Sequence, residues 1–93
     1  MKRSVTEHGS ILVTRYDMKE GDSVPLHDHR ERPGSEHITI VASGTVVISF
    51  PELGQDYVVT GEALFDYEGK QQKHSIRAIT DAVLFNVMKG LIT

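Results

Sequence analysis

The chain contains no cysteine and no tryptophan, and only three prolines in 93 residues. The missing cysteine excludes disulfides, thiolate zinc sites and cysteine nucleophiles together. A small domain without disulfides points to a reducing compartment, and the expected location is the cytoplasm. Long apolar runs are absent too. No stretch approaches the roughly 20 residues of a membrane helix. The basic start Met1-Lys2-Arg3 is followed by Glu7, His8, Gly9 and Ser10, and 11–13 is too short for the core of a signal peptide. A net charge of −3 with scattered lysines and arginines gives no footprint for nucleic acid. Neither nucleic acid nor a membrane is an expected partner.

Length bounds the architecture. Ninety-three residues make one domain, spanning 1–93, with no room for a second core. Such a domain buries roughly 60–65% of its unfolded surface, so help from a metal or a second copy is expected. A homodimer is the expected assembly, from the small core and open sheet edges.

The texture is β throughout. Strands are expected at 11–17, 24–29, 37–42, 45–50, 57–60, 63–67, 73–79 and 82–88, from β-branched and aromatic enrichment. Pro25 suggests an edge or a strand start. Lys19-Glu20-Gly21-Asp22, Pro33-Gly34, Ser43-Gly44, 51–55, Gly61 and Thr80-Asp81 punctuate them. The last two strands form a pair around Thr80-Asp81. Turns about every 8–12 residues, with no helical stripe, argue for a sandwich or barrel.

Four of the five histidines form the informative pattern. His27 and His29 are two apart, so on a strand their imidazoles project from one face. His37 opens the next strand after a loop that doubles back, which lets it face the pair across the ladder. His74 stands near the start of a late strand. In a barrel, inward imidazoles from separate strands can meet one ion at about 2.0–2.1 Å from each nitrogen. His8 reads as an ordinary surface histidine.

Gly21, five residues, His27-Asp28-His29, and then His37, six residues, Gly44 resemble the first motif of the cupin superfamily. Gly61, five residues, Tyr67-Glu68-Gly69 and then His74 resemble the second. The resemblance spans 21–74. It implies an all-β single cupin barrel, that is, a double-stranded β-helix or jelly roll. Three departures stand out. The family's glutamate position is held by His37, with Glu36 just before it. The gap from Gly69 to His74 is longer than usual. Ala78 stands where the family has asparagine.

The implied metal set is therefore His27, His29, His37 and His74, with Glu36 as the alternative to His37. A neutral, all-nitrogen set suits iron, nickel, zinc or copper, and suits manganese less well. Tyr57 and Tyr67 are the candidates for proton transfer. Glu36, Gln71, Gln72 and Arg77 are further candidates for a pocket mouth, although alternation from an inward His74 turns Arg77 outward. Each of these also has an ordinary structural explanation: a tyrosine packs its ring and wets its hydroxyl. Thr39 and Val41 share a face with His37, and Ile76 and Ala78 with His74, giving a mostly apolar lumen suited to a small-molecule ligand. The resemblance implies a metal-dependent enzyme of dioxygenase or isomerase type acting on a small organic acid, sugar or thiol. The alternative is a non-catalytic metal- or metabolite-sensing module.

Overall fold

The computed structural model describes residues 1–27, 36–67 and 73–89, with Leu26, His27 and Glu36 described by backbone alone. Among these residues lie nine strands: β1 (Lys2–His8), β2 (Ile11–Met18), β3 (Ser23–His27), β4 (Glu36–Ser43), β5 (Thr45–Phe50), β6 (Gln55–Thr60), β7 (Ala63–Asp66), β8 (His74–Ala78) and β9 (Ala82–Lys89). A 3-10 turn, Pro51–Leu53, links β5 to β6. No helix among the described residues is long and apolar enough to cross a membrane.

The strands form two antiparallel sheets, ordered β1-β2-β9-β4-β7 and β3-β8-β5-β6. Period-two alternation drives each strand to bury one face. β8 buries His74, Ile76 and Ala78 and exposes Arg77. β9 buries Ala82, Leu84, Asn86 and Met88. The core between the sheets is built on Val41, Val46, Ile48, Phe50, Ile76 and Leu84, each fully buried. Pro25 lies in β3, at an edge of its sheet, where proline is tolerated.

Three features differ from the sequence reading. β1 is a strand that the pattern did not announce. All seven of its residues are exposed, so it shows no alternation and is held by its ladder with β2. β8 and β9 follow one another but do not pair. β8 joins β3 and β5, while β9 joins β2 and β4. A short link after a strand signals a hairpin, but here the chain passes from one sheet to the other. β3 and β4 likewise belong to different sheets, so His37 does not face β3 across a ladder. It faces the other sheet across the core.

Gly44 makes one of these crossings. Its φ is +80°, and a Cβ there would overlap the Asp81 carbonyl oxygen and sit 2.8 Å from the Ala82 Cα. The residue after β4 must be glycine because backbone from the β8–β9 link occupies the space a side chain would fill.

Candidate metal centre

The ladder partner of His74 is His27, across an irregular register between β3 and β8. His74 is buried, on the face it shares with Ile76 and Ala78. His37 comes from the opposite sheet. It sits second in β4, on the face of the fully buried Thr39 and Val41. The two imidazole rings meet between the sheets, with centroids 5.7 Å apart and planes tilted by 40°. The Nε2 atoms of both are buried.

A metal–nitrogen bond of about 2.0–2.1 Å sets an ion roughly 3.2 Å from each ring centre, so two rings on one ion lie within about 6.4 Å of each other. The observed 5.7 Å meets that condition. Two imidazoles this close, each with a buried Nε2, fit a divalent ion. No group of three or more His, Cys, Asp or Glu gathers among the described residues. His29, Gln71 and Gln72 lie outside those residues, as do the side chains of His27 and Glu36.

Aromatic rings build the wall behind the histidines. Tyr67 stacks on His37, with centroids 3.9 Å apart and planes 6° from parallel. Phe50 lies 5.4 Å from His74 and meets Tyr67 edge-on at 6.0 Å. Phe65 adds a second edge-on contact to Tyr67 at 4.9 Å. Such offset and T-shaped pairs are the favourable arrangements of aromatic rings.

The two tyrosine candidates part here. The Tyr67 ring touches His37, and its hydroxyl lies 2.8 Å from Thr39 Oγ1. Burial pushes this hydroxyl well above the usual phenol range, against a smaller opposing effect of the Thr39 hydrogen bond. It holds its proton at neutral pH. Tyr57 packs edge-on against Phe50 and donates from its hydroxyl to Gln55 Oε1 at 2.6 Å. Its described ring contacts are with Phe50 and Phe65, one layer away from the histidines. Arg77 and His8 are exposed.

Two residues of the site escaped the sequence reading. Asn86 lies buried on β9, and its Oδ1 accepts a 2.6 Å hydrogen bond from Thr39. Phe50 closes the space beside His74. Asn86 is an amide at an inward position of a strand that is otherwise apolar on that face, and this signal is readable only once its partner Thr39 is known.

A cleft of about 510 Å³ opens at the far end of the five-stranded sheet, beside Met1, Asp17, Lys19 and Asp81. Its acids are already engaged. Asp17 pairs with Arg15 at 2.9 Å, and Asp81 accepts from the Glu20 N–H at 2.9 Å.

Solved structures share this architecture. An RmlC-like cupin protein from Desulfovibrio desulfuricans superposes with a TM-score of 0.77 at 15% identity, over 95% of this chain and 80% of that one. The fold is the cupin barrel. KdgF from a Halomonas species matches at a TM-score of 0.75 and 14% identity, covering 97% of this chain and 78% of its own. Ectoine synthase from P. lautus matches at 0.70 and 18% identity, over 91% of this chain but only 57% of that one. No family model matches the chain, and no curated protein matches it. At these identities the likeness establishes the cupin fold, and a fold hosts many chemistries.

Proposed function

We propose that this chain is a metal-binding member of the cupin superfamily, in which His27, His29, His37 and His74 hold one divalent ion in the service of an enzyme. The meeting of the His37 ring with that of the buried His74, 5.7 Å apart and from opposite sheets, carries the reading. The ladder register of His27 with His74 supports it. Of Glu36 and His37, the reading takes His37, supported by its ring centroid 5.7 Å from that of His74. Nitrogen donors favour iron, nickel, zinc or copper.

A divalent ion held there would supply Lewis-acid polarisation of a ligand oxygen. The chain's own groups orient and enclose. Tyr67 fixes the plane of His37 by stacking, and Phe50 keeps water from the flank of His74. The substrate class is a small organic acid, sugar or thiol, and the chemistry is of dioxygenase or isomerase type. Ectoine synthase, which shares the fold, supports an enzymatic reading. A non-catalytic sensor is the second reading. It is favoured by the hydroxyl of Tyr67, which is committed to Thr39 and tuned against proton transfer. A homodimer belongs to the same proposal, supported by Ile40 and Leu64, cross-strand partners that are 37% and 58% exposed. Light scattering at micromolar concentration tests it.

Elemental analysis of protein purified without an affinity tag tests the metal reading. About one ion per chain is expected. No bound metal, with no uptake of Fe²⁺, Ni²⁺ or Zn²⁺, would refute it. Oxygen uptake by the Fe²⁺ form with a panel of small acids, sugars and thiols separates a dioxygenase from a sensor.

A further inference from the structure

Asn86 is 7% exposed on the inner face of β9, between the apolar Leu84 and Met88. Its side-chain oxygen lies 2.6 Å from Thr39 Oγ1. That separation suits O–H···O and is short for N–H···O, which fixes the orientation of the amide. Thr39 has one hydroxyl proton, and it is committed to Asn86. In the 2.8 Å contact between Thr39 and Tyr67, the tyrosine must then be the donor. The hydrogen bonds run in one direction: Tyr67 donates to Thr39, and Thr39 donates to Asn86. The series ends on an amide whose acceptor is taken and whose two N–H donors lie on the other branch of its plane.

The register places the residue that carries those donors. Thr39 pairs with Asn86, and His37 pairs with Met88, so Asn86 is the diagonal neighbour of His37 on one face of the sheet. Diagonal neighbours stand roughly 7–8 Å apart, within the reach of one small molecule. Thr14, also buried, pairs with Asn86 from the β2 side. A group with donors only recognises oxygen acceptors, and it binds ionised ones about twice as strongly as neutral ones.

We propose that Asn86, oriented by Thr39 and Tyr67, binds a carboxylate of a small organic acid beside His37. This deepens the functional reading and rests on its site at His37 and His74. It chooses the organic acid over the sugar and the thiol.

Malonate and its neutral diamide, malonamide, are the probes, titrated calorimetrically into the metal-free protein and into protein loaded with Ni²⁺. In both forms the unsubstituted protein is expected to bind malonate at least tenfold more tightly than malonamide. Asn86→Asp keeps an acceptor for Thr39 but replaces the N–H donors with a carboxylate oxygen. It is expected to lose malonate affinity by tenfold or more, with Ni²⁺ uptake unchanged. Thr39→Ser, which keeps the hydroxyl, should bind malonate like the parent, and Thr39→Val several-fold more weakly. If Asn86→Asp does not fold, Asn86→Ala carries the same expectation. Malonate binding equal to the parent's in the Asn86 variant, or no preference for malonate in the parent, overturns the proposal. Failure of the parent to take up Ni²⁺ strikes the metal reading instead, and the metal-free titration still decides the role of Asn86.

Discussion

The His37 ring lies flat against the Tyr67 ring, 3.9 Å between centroids and 6° from parallel. A histidine near the start of a strand has rotational freedom that a ligand-binding imidazole cannot keep. The stacked phenol removes it. The phenol is itself held by the hydroxyl of Thr39, two residues along from His37. Strand β4 thus supplies both the histidine and the anchor of the ring that orients it.

Tyr67→Phe keeps the stacked ring and removes its donor to Thr39. The expected loss is about 1 kcal/mol of stability, a typical net hydrogen bond. Tyr67→Ala removes the ring from the core, and roughly 3–5 kcal/mol is expected. Urea unfolding of the two variants measures both. Equal losses would show that the ring contributes nothing beyond its hydroxyl.

The raised phenol affinity for its proton predicts an alkaline limit. Tyr67 ionises in the unfolded chain near its ordinary value of 10.0 but only at higher pH when folded. Its contribution is fully present below pH 10 and is lost as pH rises beyond it. The urea midpoint should fall above pH 10 in the parent and fall less steeply in Tyr67→Phe. Identical slopes would contradict the burial of this hydroxyl.

The acid limit has a different source. Hydrogen bonds from the Lys19 N–H and the N-terminal ammonium, in that order, hold Asp22 below its ordinary value of 3.8. A depressed carboxylate stabilises the fold above its unfolded value, and the benefit is lost as pH falls through the folded one. The urea midpoint should therefore drop below about pH 4. Asp22→Asn should lower it at pH 7 and flatten the acid drop. An unchanged acid profile would remove Asp22 from the account.

Two glycines of the first motif serve for different reasons. Gly21 has a φ of +87° but open space around it, so Gly21→Ala should cost only the left-handed penalty of about 1–2 kcal/mol. Gly44, at +80°, adds an overlap with backbone at Asp81, and Gly44→Ala should cost roughly 1–3 kcal/mol more. Comparing the two midpoints tests the distinction. Equal costs would mean that the Asp81–Ala82 segment moves aside freely.

Much of the barrel was legible because inward positions alternate cleanly. His74, Ile76 and Ala78 on β8 follow the expected period, and Arg77 turns outward as alternation requires. The sheet partners were not legible. Nothing local distinguishes a short link within one sheet from one that crosses to the other, as after Ala78. β1 was invisible because all of its residues are solvent-exposed and all but Val5 are polar. At the site, the histidines announced themselves by spacing, and Thr39 by its place on the face of His37. Asn86 did not, since a single amide in an apolar strand carries meaning only once its cross-strand partner is known.

The most direct measurement follows the ring nitrogens of His37 and His74 by long-range ¹H–¹⁵N correlation while Zn²⁺ is added to ¹⁵N-labelled protein. The Nε2 resonances of both residues should move together and saturate at one equivalent, while those of the exposed His8 stay in place. His74→Ala should abolish saturable binding. Zn²⁺ addition that leaves the nitrogens of His37 and His74 unmoved would contradict the account.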